Sequence, residues 1–209
     1  MFTVGSFSTN CYVASCERTT EAIIIDPGFD DCSEAEWVFR FMNENALTLR
    51  FTVNTHGHPD HRCGNRIVKE RFHTPILIHE ADAHLLGELG RAAAEFFGLQ
   101  SHSPTPDRLL QDGDCVKFGN ATLKVAHTPG HSAGGISLAG DKEVFTGDTL
   151  FAGSIGRTDF PESSKDEIMR SLGKLVDLPN DFIVYPGHGP ATTIGEEKRY
   201  NPFMKKMKL

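Results

Sequence analysis

The stretch Thr55-His56-Gly57-His58-Pro59-Asp60-His61 places four metal-binding side chains within six residues. Imidazole and carboxylate groups are the ligands that suit zinc, iron and manganese. The stretch follows an apolar run, 49–53, that predicts a buried strand, and it precedes a helix-like pattern over 62–72. We therefore place it on a strand-to-helix loop, where α/β proteins usually carry functional residues. The alternative, a surface loop that is rich in histidine by chance, is less favoured because the ligands are so dense and so placed.

Three later positions have the same local setting. They are His131 in Thr128-Pro129-Gly130-His131-Ser132, Asp148 in Thr146-Gly147-Asp148-Thr149, and His188 in Pro186-Gly187-His188-Gly189. Each follows a short strand-like run (122–126, 143–145 and 182–185) and lies in a turn, so we expect the strand ends to converge at one edge of a sheet. Five histidines and two aspartates make seven candidate ligands. One zinc ion takes about four ligands, so seven predict two ions that share a carboxylate.

These residues resemble the signature of the metallo-β-lactamase fold superfamily: His56-x-His58-x-Asp60-His61, then His131, Asp148 and His188. The resemblance extends from Ile23–Gly28 to Pro186–His188. The segments Gly147–Phe151 and Gly156–Pro161 are similar to glyoxalase II-like hydrolases, especially the short type without a C-terminal helical domain. The resemblance implies the α/β class, with a four-layer αββα sandwich of two mixed β-sheets flanked by helices. The chain, residues 1–209, is expected to form a single domain of this kind.

The resemblance also implies two metal sites and one bridging carboxylate: His56, His58 and His131; Asp60, His61 and His188; and Asp148. Of these residues, Asp60 and Asp148 are also predicted to be catalytic. We expect two divalent metal ions, with zinc preferred and iron or manganese as alternatives, because histidine and aspartate accept all three. A water shared by two such ions has a pKa low enough to form hydroxide at neutral pH, and this hydroxide would attack an acyl carbon.

The implied function is that of a hydrolase cleaving a small-molecule thioester, a hydroxyacylglutathione such as S-lactoylglutathione. The alternative is a mononuclear iron persulfide dioxygenase-like oxidoreductase, in which His56, His131 and Asp148 would hold the iron. A non-catalytic metal-binding module is disfavoured by the complete ligand set. Arg157 is predicted to meet a substrate carboxylate with help from the basic tail 198–206, although a merely solvated terminus is the simpler explanation for the tail lysines.

Two further residues near the predicted ligands have two interpretations each. Asp26 ends the apolar run 23–25, and its carboxylate either orients a ligand histidine from behind or only caps the strand end. Cys63 lies two residues beyond His61 at the start of the next helix. Its thiol is either activated there, so that it reacts or coordinates a metal, or is a small buried side chain without a chemical role, which we favour. The five cysteines are odd in number and form no Cys-x-x-Cys pair, so we predict reduced thiols.

Composition excludes several classes of partner. The net charge of −7 and the lack of a long basic run predict that the chain does not bind nucleic acid. We find no apolar stretch of transmembrane length and no secretion signal, so we expect a cytoplasmic protein without a membrane partner. The oligomeric state cannot be predicted from these features.

Two predicted helices bear on the fold and the cleft. One spans 33–44, with a capping box of Ser33 and Glu36 and an apolar face that includes Trp37, Val38 and Phe41. The other spans 83–97, where Phe96 and Phe97 either roof the cleft or, as we favour, belong to a helix packed on the sheet edge.

Overall fold

A computed structural model describes residues 1–96, 98–99 and 103–205. In it the apolar run Ile23–Ile25 lies inside a six-stranded sheet, where all three side chains are fully buried. The strands of this first sheet, in spatial and chain order, are β1 (Phe2–Val4), β2 (Thr9–Ser15), β3 (Glu21–Ile25), β4 (Thr48–Val53), β5 (Ile76–His79) and β6 (Arg108–Leu110). Strand β2 pairs antiparallel with both β1 and β3, and the neighbours from β3 to β6 pair parallel.

The second six-stranded sheet is also mixed. Its strands are β7 (Cys115–Phe118), β8 (Ala121–His127), β9 (Ile136–Ala139), β10 (Glu143–Gly147), β13 (Ile183–Pro186) and β14 (Thr192–Thr193), and a separate hairpin is formed by β11 (Leu150–Phe151) and β12 (Ser154–Ile155). The spatial order is β14-β13-β10-β9-β8-β7, with β10 and β13 parallel and the other neighbours antiparallel.

The helices are α1 (Cys32–Glu44), α2 (Pro59–Arg62), α3 (Asn65–Phe72), α4 (Glu88–Phe96), α5 (Lys165–Val176) and α6 (Ile194–Tyr200). Of these, α1 and α3 cover the outer face of the first sheet, and α5 and α6 cover that of the second. Ile23 and Ile25 pack between the sheets with residues such as Leu138, whereas Ile24 packs on α1 and α3. The side chains of successive strand residues point to opposite faces, so this strand is apolar throughout because both of its faces are covered. The predicted αββα sandwich is confirmed.

Several local predictions need correction. Helix α1 is capped by Asp31, whose carboxylate accepts the N–H groups of Ser33 and Glu34, so the predicted capping box is wrong. Trp37 and Phe41 are exposed, and the buried face of α1 is formed by its other apolar side chains. The helix predicted over 62–72 is divided into α2 and α3.

The helix predicted over 83–97 is divided as well. The structure has a 3₁₀ helix, Glu80–Leu85, followed by α4. The side chains of Phe96 and Phe97 lie outside the described part of the structure, so their predicted position relative to the cleft stays a prediction. None of the described helices has the length and hydropathy needed to cross a membrane.

The two sheets meet at the edge where the predicted ligands lie. The backbone N–H of Ile136 donates to the carbonyl of Thr55 at 2.9 Å, and that of Asn10 donates to the carbonyl of Gly187 at 2.7 Å. The ligand loops follow β4 in the first sheet and β8, β10 and β13 in the second. Convergence at an edge is therefore as predicted, but two sheets contribute to it.

Candidate metal centre

The first ligand set comprises His56, His58 and His131, which each place one nitrogen within 4.8 Å of the others. His58 Nδ1 and His131 Nε2 are 2.8 Å apart. His131 Nδ1 donates to the carbonyl of Arg157 at 2.9 Å, so its Nε2 is the unprotonated nitrogen that faces the set. His56 Nε2 is buried and has no hydrogen-bond partner among the described residues.

The second ligand set comprises Asp60, His61 and His188, whose ligand atoms also lie within 4.8 Å of one another. His61 Nδ1 donates to Asp26 Oδ2 at 3.0 Å, and His188 Nδ1 donates to the carbonyl of Ser8 at 3.4 Å. These bonds direct the Nε2 atoms of both histidines towards each other, 3.2 Å apart. Asp60 Oδ2 lies 3.5 Å from His61 Nε2 and 3.2 Å from His188 Nε2.

Asp148 lies between the two sets. Its Oδ2 is 3.4 Å from His131 Nε2 in the first set and 3.6 Å from His188 Nε2 in the second. Its Oδ1 is 3.3 Å from His61 Nε2, yet this oxygen is buried and has no well-aligned hydrogen bond among the described residues. The seven predicted ligands thus form two sets with one carboxylate in contact with both.

The donor atoms fit divalent metal ions. The Nε2 atoms of His61 and His188 lie 3.2 Å apart, so one cation beside them could bind both once they are deprotonated. The orphaned His56 Nε2 and Asp148 Oδ1 likewise point into the site as buried acceptors without a donor. Imidazole and carboxylate are the common ligands of zinc and of first-row transition metals. Each set could therefore hold a divalent metal ion.

The charges of the site support this interpretation. Burial, followed by repulsion from His61 and the other histidines, lowers the pKa of His56 well below its usual value. Burial alone would raise the pKa of Asp60 and of Asp148, but the neighbouring histidines, with His61 foremost, together outweigh burial and lower the pKa of each carboxyl. The first set therefore presents a neutral imidazole at neutral pH, and both carboxylates are ionised.

Asp26 contacts His61 from behind the site, which is the geometry that one of its two interpretations requires, and its role there stays a prediction. It is 1 % exposed and lies in the left-handed backbone region, with φ +49°. Besides His61, it accepts the N–H of Thr55 at 2.7 Å and the hydroxyl of Thr55 at 2.6 Å. A non-glycine residue in this conformation is strained, and such strain persists only where the surroundings hold it in place.

The two ligand sets lie at the floor of a cleft of about 570 Å³. Its walls are mostly apolar: Phe7, Leu85, Leu99, Phe151, Ile155 and Phe160. Cavities of this size commonly bind small molecules, and their few polar groups set the orientation of the ligand. Sequence reasoning missed Phe7 and Leu85 because each is a single apolar residue far along the chain from the ligands.

Arg157 also lines the cleft, but its guanidinium is already engaged. Nε and Nη2 donate to the two carboxylate oxygens of Asp159, each at 2.7 Å, and the guanidinium carbon lies 4.4 Å from the ring centre of Phe160. The hydrogen bond from Arg157 lowers the pKa of Asp159, so this carboxylate is ionised. The charge of Arg157 is therefore shared with Asp159 before any substrate arrives.

Cys63 is a small buried side chain, as we favoured from the sequence. Its thiol is 2 % exposed, with Sγ 3.9 Å from the carbonyl oxygen of Asp60. Burial, followed by the nearby carboxylates Asp30 and Asp60, raises the pKa of the thiol to about 12. A thiol that stays protonated at neutral pH is neither a strong nucleophile nor a ready metal ligand.

The fold and the site agree with comparisons to known proteins. The family model of the metallo-β-lactamase superfamily matches residues 4–188, so the chain belongs to the metallo-β-lactamase superfamily of hydrolases. The curated relatives include the hydroxyacylglutathione hydrolase GloC of Haemophilus influenzae. It is 38% identical over 206 residues, which cover 96% of this chain and 95% of that protein.

Two solved structures are similar over nearly their whole length. The BLEG-1 B3 metallo-β-lactamase is 34% identical with a TM-score of 0.88, and the match covers 97% of both chains. TTHA1623, solved in a di-iron-bound form, is 35% identical with a TM-score of 0.85, and the match covers 96% of this chain and 98% of that one. The family resemblance inferred from the sequence is confirmed.

Proposed function

We propose that this protein is a metal-dependent thioester hydrolase with two divalent metal ions in one cleft. The observation that carries the proposal is the convergence of seven side chains into two ligand sets with Asp148 in contact with both. A mononuclear enzyme would leave three well-placed ligands of the second set without a role. We propose zinc as the metal, with iron and manganese as alternatives, since the ligand types accept all three.

The metal ions would lower the pKa of a water molecule towards neutrality and polarise the carbonyl of the substrate. The side chains of the protein would orient the ligands and accept a hydrogen bond from the attacking water. His131, held by the carbonyl of Arg157, and His61, held by Asp26, keep fixed orientations, so that the ligand atoms are arranged before the substrate binds. Asp60 and Asp148 are ionised and line the cleft, so either can accept a hydrogen bond from the attacking water.

The substrate we propose is a hydroxyacylglutathione such as S-lactoylglutathione. The similarity to GloC supports this choice. The apolar wall formed by Phe151, Ile155 and Phe160 would pack against the acyl group and exclude bulk water. Arg157 remains the proposed contact for a substrate carboxylate, but we expect only a modest contribution because Asp159 already shares its charge.

A second candidate function is that of a mononuclear iron persulfide dioxygenase-like oxidoreductase. The observation that favours it is a group of two histidines and one aspartate, His56, His61 and Asp148, whose ligand atoms lie within 4.8 Å. Such a group is typical of non-haem iron oxygenases. The sequence predicted His131 in this group, and we propose His61 in its place because its ligand atom lies within 4.8 Å of those of His56 and Asp148.

One experiment separates the two candidates. Purified protein loaded with zinc or with iron is assayed for thiol release from S-lactoylglutathione and for oxygen uptake on glutathione persulfide. Thiol release by the zinc-loaded protein without oxygen uptake supports the hydrolase. Oxygen uptake by protein holding one iron, with no thiol release in any metal form, would overturn it.

A further inference from the structure

One buried carboxylate joins the two loops that carry the first ligand set. Asp82, in the 3₁₀ helix Glu80–Leu85, is fully buried. Its Oδ2 accepts the backbone N–H of Gly57 at 2.8 Å, and its Oδ1 accepts the N–H of Gly134 at 2.5 Å. Gly57 lies between His56 and His58, and Gly134 lies three residues after His131. A single side chain therefore spans the two segments that must come together to form the first set.

The 3₁₀ helix lies so close to both ligand loops that only glycine fits at the points of contact. A Cβ atom on Gly57 would lie 2.6 Å from Leu85 Cβ, and one on Gly134 would lie 2.5 Å from the backbone nitrogen of Asp82 and 2.7 Å from its Cγ. Real Cβ atoms essentially never approach so closely. Both ligand loops thus have glycine where the 3₁₀ helix presses against them.

The peptide groups of Gly57 are held from a second direction. Arg62, at the end of α2, is fully buried, and its Nε donates to the carbonyl of Gly57 at 3.1 Å. Its Nη2 donates to the carbonyl of Gly90 in α4. The N–H and the C=O of Gly57 are therefore both bound by buried charged side chains, and charge-assisted hydrogen bonds are stronger than neutral ones.

We propose that Asp82 is a positioning residue that fixes the loop of His56 and His58 against the loop of His131 and so sets the metal affinity of the first ligand set. This inference rests on the metal-binding part of the proposed function. The two hydrogen bonds that the Asp82 carboxylate accepts, from Gly57 and from Gly134, both come from the loops of the first set. We therefore expect Asp82 to act selectively on the first set.

The test uses the substitution Asp82→Asn, which keeps the size of the side chain but leaves one of its two acceptors as an NH2 group. One buried N–H, that of Gly57 or Gly134, then loses its partner, and the loops are free to shift. Zinc affinity is measured by competition with a chromophoric chelator in two backgrounds. His188→Ala disables the second set, so the first set is measured alone. His58→Ala disables the first set, so the second set is measured alone.

We expect Asp82→Asn to weaken zinc binding by about 10- to 100-fold in the His188→Ala background, as is typical for residues that hold metal ligands. In the His58→Ala background we expect a change of less than about threefold, since effects at independent sites are nearly additive. A change of less than about threefold in the His188→Ala background as well would overturn the proposal.

The matched control is Glu197→Gln, which also alters a buried carboxylate. Glu197 is 2 % exposed and accepts the N–H of Gly153 at 2.9 Å, away from the ligand loops. We expect it to lower the urea midpoint of the metal-free protein and to leave both zinc affinities unchanged. If it weakened zinc binding as Asp82→Asn does, the effect would be general destabilisation and the proposal would fail.

If Asp82→Asn does not fold, Gly134→Ala takes its place, because the added methyl group must displace Asp82 while the carboxylate remains. The same selective loss in the first set is expected, and equal loss in both sets would contradict the proposal. The chelator readout needs no thioester. A protein that binds zinc selectively as described but hydrolyses no thioester would refute the proposed reaction and leave the role of Asp82 intact.

Discussion

The two ligand sets differ in the charges that surround their histidines. In the first set, burial and then repulsion from His131 lower the pKa of His58 to about 3. In the second set, burial alone would lower the pKa of His61, but three carboxylates, with Asp148 foremost, outweigh it and raise the pKa well above its usual value. At neutral pH the imidazole of His58 in the first set is therefore already neutral and able to bind a metal ion. His61 in the second set must first release a proton.

The supports behind the two sets differ in a corresponding way. The first set relies on backbone contacts, in which Asp82 and Arg62 hold the peptide groups of Gly57. The second set relies on a side-chain contact, in which Asp26 accepts directly from the ring of His61. One set is therefore shaped through its loops and the other through the orientation and charge of a ring. Each prediction below challenges this contrast or makes it more precise.

The largest effect is expected from Asp148→Ala, since this carboxylate contacts both sets. Removing a ligand should cost more than removing a residue that only holds one, so we expect zinc affinity to fall by more than about 100-fold in each set. Chelator competition on the single-set variants, His58→Ala and His188→Ala, measures both affinities. Loss in only one set would show that Asp148 does not serve both.

Asp26→Asn should act mainly on the second set. The amide offers one acceptor fewer, so either His61 Nδ1 or the backbone N–H of Thr55 loses its partner. We expect a loss of about 10- to 100-fold in zinc affinity in the His58→Ala background. Unchanged affinity there would mean that Asp26 only caps the strand end.

The pH dependence of the metal-free protein should have opposite signs for the two sets. The folded-state pKa of His58 is lowered to about 3 from a usual value of 6.5, so the folded protein leaves this ring neutral while the unfolded chain protonates it below pH 6.5. This histidine therefore removes stability as pH falls from 6.5 towards 3, by about 1.4 kcal/mol per pH unit. His58→Asn should accordingly lose less stability than the wild type between pH 6.5 and pH 5.5.

His188 should behave in the opposite sense. Burial opposes the effect, but the hydrogen bond to Asp60 and the charge of Asp148 raise its pKa. Its contribution to stability is fully present below the unfolded pKa and is lost as pH rises through the folded pKa. His188→Asn should therefore lose more stability than the wild type on acidification. Urea unfolding in the presence of a chelator measures both variants, and equal slopes for the two would contradict the contrast.

A smaller effect is expected at the wall of the cleft. Phe160 contacts both His58 and His131, with ring centres 5.1 Å and 5.7 Å away. Phe160→Ala should raise KM for S-lactoylglutathione about fivefold, the value of one aromatic contact, and leave metal content unchanged. Phe41→Ala, an exposed phenylalanine on α1, is the matched control and should change neither quantity. A loss of metal from Phe160→Ala would make this ring part of the support of the first set.

The smallest effect is expected from Arg157→Ala. The guanidinium is exposed and paired with Asp159, and exposed ion pairs contribute little. We expect KM to rise by at most about fivefold with kcat unchanged. A rise of more than about fiftyfold would show that Arg157 leaves Asp159 and binds the substrate directly.

The ligands could be predicted from the sequence because their chemistry is local. A run with four ligands in six residues, and single ligands in turns after apolar runs, are visible without any tertiary information. The same holds for Ile23–Ile25, since an apolar strand without alternation indicates burial on both faces. The candidate ligands and the buried strand therefore lie where the sequence placed them, and the metal-binding roles of these residues stay predictions.

The supports could not be predicted, because they depend on contacts between distant segments. Asp82 is an ordinary acidic residue just before the helix predicted over 83–97, and only the approach of the 3₁₀ helix to Gly57 and Gly134 indicates the role that we propose for it. Trp37 was misplaced for a related reason, since helical spacing does not show which apolar residue meets the sheet. Tertiary packing decided both cases.

The most direct test of the account is the zinc stoichiometry of the purified, metal-reconstituted protein and its two single-set variants. The account predicts two ions per chain for the wild type, one for His58→Ala and one for His188→Ala. A wild-type protein that binds a single ion, unaffected by His188→Ala, would contradict the existence of two metal sites.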